Sequence, residues 1–338
     1  MTPATSALLG GLACLVVASA CLPLVIAMLR RAAVLDVPGA RSSHVVPTPR
    51  GGGLALVVGM LVALLVTPVA TTPLVVAVAA FGAIGLMDDV RDLPVSSRFL
   101  AQLLAGALVT ALLLVEVPGP WPVLLLGGVL SILWMCAFVN AFNFMDGING
   151  ISGAHALLAG ASFAALGVWA DAPALLVSGT VVGAAALAFL PWNAPRAKVF
   201  LGDVGSYALG AGLAVLAVVA VLHAVPVEAA LAPLAVHLVD TGWTLVRRIR
   251  AGEPWRQAHR SHVYQRLCDV GWSHARVAGL TALLGAAVTL SAAVALTGQW
   301  ALRALGDAVA CLLLVGYLMS PTYLATRERV ASIGSGAS

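Results

Sequence analysis

The sequence predicts an all-α polytopic integral membrane protein of about eleven transmembrane helices, and three observations carry that prediction. The 338 residues are 61% hydrophobic and only 9% charged, against about 25% charged in average soluble chains. Apolar runs of roughly 17–25 residues, the length a helix needs to cross a bilayer, recur from end to end. The basic residues fall almost wholly in alternate connections between those runs.

The runs centre near residues 17, 60, 80, 107, 131, 161, 182, 213, 236, 285 and 310. None alternates apolar with polar residues as the strands of an outer-membrane barrel do, so each reads as a helix. No Lys or Arg precedes the first run, which therefore lacks the positive leader of a secretory signal. Arg30 and Arg31 follow it instead, making it a first span with its N-terminus outside. No linker of disordered composition and no repeat of fixed period interrupts the chain, so residues 1–338 read as one membrane domain. Cys14, Cys21, Cys136, Cys268 and Cys311 lack paired spacing; they read as small apolar packers rather than a disulfide or zinc framework.

With the runs numbered in order, connections 1–2, 3–4, 5–6, 7–8 and 9–10 and the C-terminus hold all 18 Lys and Arg except Arg303. The positive-inside rule assigns that side, C-terminus included, to the cytoplasm. The opposite connections are short and carry Glu116, Asp171 and Glu228.

Ionisable groups at membrane depth are costly and become functional candidates for that reason. Three acidic clusters of this chain stand where apolar runs break off, all on the basic side. Asp88-Asp89-Val90-Arg91-Asp92 sets three carboxylates at one span end. Adjacent carboxylates repel unless a cation intervenes, and such a set suits Mg²⁺, which takes one or two carboxylates with phosphate and water. A solvated loop end is the competing reading, strongest for Asp92 beside Arg91. Residues 140–150, Asn-Ala-Phe-Asn-Phe-Met-Asp-Gly-Ile-Asn-Gly, offer amide donors and acceptors and glycines that let backbone approach a ligand. This composition suits a uracil, ribose or phosphate; helix capping by Asp146 or Asn149 accounts for one polar residue, not for the group. Gly202-Asp203-Val204-Gly205-Ser206 precedes the eighth span, where Asp203 either caps the helix or holds a metal beside an anion-favouring N-terminus. Lys198, the one lysine of the chain, lies five residues upstream.

His259-Arg260-Ser261-His262 sits in the longest polar stretch, roughly 247–273. Two His and an Arg can bind a diphosphate or move a proton near neutral pH; an ordinary basic loop facing anionic headgroups is the alternative. The first basic loop carries Arg41-Ser42-Ser43-His44 and Pro49-Arg50-Gly51-Gly52-Gly53, with Arg50 placed for phosphate. His155, His223 and His237 lie within or at the ends of spans without matching partners in sequence and read as structural. Asp240, in the ninth span, reads either as a helix–helix polar contact or as a site residue.

The strings DDVRD at 88–92, NAFNFMDGINGI at 140–151, FLGDVGS at 200–206 and AHRSHVYQ at 258–265, in that order, resemble the polyprenyl-phosphate N-acetylhexosamine-1-phosphate transferases (glycosyltransferase family 4). That family also includes the phospho-MurNAc-pentapeptide transferase of peptidoglycan synthesis. The RSSHVVPTPRGGG loop and the HRSHVYQ form look most like the bacterial branch that initiates O-antigen or similar surface glycans. The resemblance implies ten or eleven spans in the bacterial cytoplasmic membrane, with the site on the cytoplasmic face. It also implies undecaprenyl phosphate and a UDP-N-acetyl-sugar as substrates and Mg²⁺, or Mn²⁺ in its place, as cofactor.

Carried over by position, Asp203 would be the principal Mg²⁺ ligand. Asp88 and Asp89 would handle the lipid phosphate or, for Asp88, assist the metal. Asn143 and Asp146 would line the nucleotide and diphosphate site together with Gly147 and Asn149, and His259 and His262 would bind phosphate. Arg50, His44, Lys198 and Arg260 complete the expected substrate contacts. The family often has DGIDG where this chain has DGING, so Asn149 replaces a carboxylate. The resemblance leaves nucleic acid out of the partners and is compatible with a homodimer. A transporter or flippase is the rival of another class, but transporters place charges near the bilayer midplane on broken helices, whereas these acids sit at one face. Within the enzyme class the alternative is the phospho-MurNAc-pentapeptide transferase, against which the HRSHVYQ form argues.

Overall fold

The computed structural model describes residues 1–38, 46–69, 72–115, 117–254, 257 and 259–335; His44, with Arg41, Ser42 and Ser43, lies outside them. The chain is a sequence of helices: α1 (Pro3–Arg31), α2 (Gly53–Val66), α3 (Thr72–Arg91), α4 (Val95–Leu114), α5 (Trp121–Met145), α6 (Ile151–Trp169) and α7 (Pro173–Asn193). There follow α8 (Gly202–Leu222), α9 (Val227–Leu231), α10 (Ala235–Arg250), α11 (Val263–Asp269), α12 (His274–Ala293) and α13 (Trp300–Ser335). A two-stranded hairpin, β1 (Leu35–Asp36) antiparallel to β2 (Thr48–Pro49), closes the first loop.

Among the described residues ten helical stretches are long and apolar enough to cross a membrane, with Val227–Arg250 counting as one. The run near residue 60 forms the shorter α2, of 14 residues. It nevertheless travels the depth of its neighbour. Gly51 at its entry lies against Leu29 of α1, Gly59 against Ala18, and Thr67 beyond its end against Gly10. Residues 10 to 29 of a helix cover about 28 Å at 1.5 Å per residue, close to the hydrocarbon thickness of roughly 30 Å.

Helix α8 runs through the centre and is buried along almost its whole length. Lipid is as apolar as leucine, so helices associate in it by close packing, which small residues permit. Gly85 of α3 lies so near the Asp203 carbonyl of α8 that an added Cβ would strike it, and Gly53 of α2 meets Gly205 of α8 backbone to backbone. The main apolar core joins α1 to α9. A second cluster gathers α10 to α13 around the loop at Met145, Ile148 and Ile151, with Tyr264 and Tyr317 inside it. Leucines on α4, α5 and α13 (Leu104, Leu130, Leu312) stay exposed, as a lipid-facing surface requires.

Candidate functional site

The site forms where α3, α5 and α7 end and where α2, α6 and α8 begin, all at one face. Its foundation is an interlock of the first loop with the segment before α8. Gly51 and Gly52 donate backbone N–H groups to the Phe200 carbonyl (3.2 and 2.9 Å), Gly53 donates to Leu201 (2.8 Å), and Phe200 donates back to Pro49 (2.8 Å). Gly202 takes a positive φ of 74°, and a side chain there would collide with Gly51 and with the Asp89 carboxylate. The glycines of both motifs are thus needed for the two segments to touch.

Asp89, at the end of α3, caps α8 from outside: its two oxygens accept from Asp203 N (3.0 Å) and Val204 N (2.9 Å). This satisfies two of the orphan N–H groups of a helix start with a carboxylate, which the helix dipole also favours. Arg50, delivered by the hairpin, then bridges Asp89 (Nε to Oδ1, 3.1 Å) and Asp203 (Nη2 to Oδ1, 3.0 Å). Asp88 has a different environment from the one expected of a metal or phosphate group. Its oxygens accept from Leu93 N (3.0 Å), Arg98 Nη1 (2.9 Å) and the Tyr207 hydroxyl (2.8 Å). Buried and absent from the cavity wall, it ties α3 to α4 and α8.

The loop from α5 to α6 is held by amides. Asn193, at the end of α7, accepts from Gly150 N (2.6 Å) and donates to Val199 O (3.1 Å). Ser206 donates to Asn143 Oδ1 (3.2 Å), and Ser152 to Asp146 Oδ1 (2.6 Å). Withdrawal from water pushes the Asp146 carboxyl up to about 7, with Asp203 and Asp89 adding to the shift and Ser152 and Arg50 opposing it. Asn149 donates Nδ2 to the Pro195 carbonyl (3.1 Å), a bond that an aspartate could not make. The amide in DGING therefore has a structural use here.

A cavity of about 290 Å³ opens over these groups. Three carboxylates (Asp36, Asp146, Asp203) and two guanidiniums (Arg50, Arg260) lie in its wall, with Asn143, Gly147 and Asn149 beside them. Helix α11 adds Gln265 and Cys268. Of the other expected residues, Lys198 is exposed and stands over the Trp192 ring (5.3 Å). His259 pairs with Ser261 (Nδ1 to Oγ, 3.0 Å), and His262 is buried against Asp240 (Nδ1 to Oδ1, 3.1 Å); neither lines the cavity. Arg260 keeps an ion pair with Asp269 (3.0 Å). Sequence reasoning missed Asp36, Asn193, Gln265 and Cys268 as site residues. Asn193 carried the signal that found the others, a polar residue where an apolar run ends; Asp36 carried none.

Among the described residues no group of three or more His, Cys, Asp or Glu could enclose a metal by itself. That donor set does not fit a closed transition-metal site. It does fit Mg²⁺, which takes one or two protein carboxylates and completes its shell from phosphates and water.

Residues 71–221 match the family model described as Glycosyl transferase family 4. A probable undecaprenyl-phosphate N-acetylglucosaminyl 1-phosphate transferase of Bacillus subtilis is 28% identical over 274 residues, covering 77% of this chain and 76% of that protein. A decaprenyl-phosphate N-acetylglucosaminephosphotransferase of Mycobacterium leprae is 32% identical over 307 residues, covering 76% and 75%. A phospho-N-acetylmuramoyl-pentapeptide-transferase of Staphylococcus epidermidis is 27% identical over 190 residues, covering 48% and 59%.

Proposed function

This chain belongs to glycosyl transferase family 4, and from that premise we propose that it transfers an N-acetylhexosamine 1-phosphate from a UDP-sugar to undecaprenyl phosphate, releasing UMP. The sugar is of the GlcNAc type or a 6-deoxy amino sugar, and the product initiates a lipid-linked surface glycan. The observation that carries this reading is the single cavity in which Asp203, Asp146 and Arg50 meet at the ends of apolar helices. A water-soluble diphosphate and a lipid phosphate can reach such a place from opposite environments. The basic connections favour the cytoplasmic side of a bacterial inner membrane for it.

In the proposed reaction an oxygen of the lipid phosphate attacks the sugar-linked phosphorus. The new P–O bond forms a lipid diphosphate, the P–O bond to the uridylyl phosphate breaks, and UMP leaves with the electron pair. A phosphate monoester has its second pKa near about 6, so the nucleophile is already charged at neutral pH and a strong general base is unnecessary. The work left to the protein is positioning and charge neutralisation. Asp203, with Asp146 nearby, supplies oxygen ligands of the kind Mg²⁺ or Mn²⁺ requires. That metal, when bound, would neutralise the diphosphate and the departing UMP.

Arg50 exchanges its carboxylate partners for phosphate oxygens, and Arg260 offers the guanidinium nitrogens not used on Asp269. Asn143, Gly147 and Asn149 bind the uridine end through amides and backbone. His259, next to Arg260, and the exposed Lys198 lie outside the cavity wall. Asp88 acts by fixing the end of α3, so that Asp89 can cap α8. His262 acts through the fold rather than on the substrate.

The test is a panel of UDP-sugars with undecaprenyl phosphate and purified protein in detergent with Mg²⁺. A lipid-linked product and stoichiometric UMP from a GlcNAc-type or 6-deoxy amino sugar is the expected result. Turnover of UDP-MurNAc-pentapeptide alone would move the chain to the peptidoglycan branch, and transport without turnover would favour a flippase.

A further inference from the structure

Asp240 is fully buried in α10, lies outside the cavity wall and collects five hydrogen bonds. Its Oδ1 accepts from Val263 N (3.0 Å), His262 Nδ1 (3.1 Å) and Thr244 Oγ1 (3.3 Å). Its Oδ2 accepts from Tyr264 N (3.1 Å) and the Tyr317 hydroxyl of α13 (2.7 Å). All five are donors, as a carboxylate requires, and two of them are orphan N–H groups at the start of α11. One and two turns further along the same face of α10, Thr244 and Arg247 extend this contact, with Arg247 Nη2 donating to Ser261 O (2.7 Å). The α10 side chains therefore hold both α11 and the turn that leads into it.

The hold passes on to the cavity by two routes. Helix α11 and its lead-in turn carry Arg260, Gln265 and Cys268 of the wall. Tyr264, whose backbone is bound to Asp240, donates its hydroxyl to Phe144 O (3.0 Å), two residues before Asp146. The fit is close enough that a side chain at Gly147 would strike that hydroxyl.

We infer that Asp240 is a positioning residue for the UDP-sugar pocket, clamping α11 and, through Tyr264, the Asp146–Asn149 loop into the two adjoining walls. This rests on the reading of the cavity as a UDP-sugar site, but the clamp itself can be measured without turnover. Cys268 reports on α11, and Cys14, buried in the main core, reports on global unfolding.

Full-length Asp240→Asn protein in detergent is alkylated with N-ethylmaleimide and read peptide by peptide. The exchange removes acceptors from a buried group whose donors stay in place, so local opening of α11 is expected to speed Cys268 labelling about tenfold or more, with Cys14 still silent. Tyr317→Phe keeps the ring and loses one of the five bonds, so a smaller acceleration in the same direction is expected. In turnover, Asp240→Asn is expected to raise KM for the UDP-sugar about tenfold with a smaller change in kcat, as loss of a binding wall requires.

Unchanged Cys268 labelling in both variants would overturn the inference. So would labelling of Cys14 and Cys268 together in both, or a fall in kcat at constant KM. A wild type that turns over no UDP-sugar, with the Cys268 response still seen in the two variants, would remove the proposed function and leave the α11 clamp standing.

Discussion

The two halves of the cavity are built on different principles. The half around Asp203 is backbone on backbone: Gly51, Gly52 and Gly53 bonded to Phe200 and Leu201, and Gly85 seated on the Asp203 carbonyl. The half around α11 is held by side chains, converging on the one carboxylate of Asp240 and on Arg247. Glycine contacts leave no room for adjustment, whereas a hydrogen-bonded short helix can open locally. The Asp203 end of the cavity is therefore rigid by construction, and the end that meets α11 is the one with freedom to open.

The largest break in this comparison is Gly85→Val, which forces α3 away from α8. The expected outcome is loss of monodisperse protein on size exclusion, with the same exchange at the open Gly279 of α12 tolerated. Next in size is Asp203→Asn. The protein should remain folded, because its backbone N–H groups still reach Asp89, while Mg²⁺-dependent UMP release falls by at least about a thousandfold. Retained turnover would remove Asp203 from the metal site.

On the softer half, Arg260→Ala is expected to raise KM for the UDP-sugar about tenfold, a loss typical of one charge-assisted hydrogen bond. Added salt should narrow the difference from wild type. Asp146 sets a pH dependence. Its carboxyl is lifted to about 7, so the charged form appears as pH rises through neutrality. Mg²⁺ binding to the metal-free protein is therefore expected to weaken below neutrality, where the carboxyl must first lose its proton, and Asp146→Asn should lose that pH dependence in a Mg²⁺ titration. For the ligand-free fold the sign is opposite. The proton is held to about 7 when folded against 3.8 when released, so this stabilisation is complete below 3.8 and lost as pH passes 7. The smallest effect is Asn149→Asp, which loses the bond to Pro195 O. It should lower stability by about 1 kcal/mol, read as a small drop in melting temperature, with turnover retained.

What the sequence disclosed follows the same division. Lengths and hydropathy located the helices, because crossing a bilayer is a matter of composition, and even the short α2 was centred correctly near residue 60. Asp89, Asp146, Asp203, Arg50, Asn143, Gly147, Asn149 and Arg260 were visible as polar or glycine residues where apolar runs end, and the fold brings them to one cavity or its floor. Of the α11 half of the wall only Arg260 was legible. Nothing in sequence pairs Asp240 with His262, 22 residues away, since a buried carboxylate in a span looks the same whether it serves a site or a scaffold. His155 and His237 read as solitary, yet their rings stack at 3.5 Å beside Phe142. Asp88 and Asp89 are adjacent in sequence, but one turns to the side chains of Arg98 on α4 and Tyr207 on α8 and the other to the backbone at the start of α8, a distinction only packing decides.

The most direct test uses a UDP-sugar carrying ³²P on the sugar-linked phosphorus, with undecaprenyl phosphate, Mg²⁺ and the wild-type protein. Transfer of the label into the lipid fraction with release of unlabelled UMP is the expected result, absent in Asp203→Asn. Labelled UDP in the aqueous fraction, with sugar but no label on the lipid, would contradict sugar-1-phosphate transfer at this cavity.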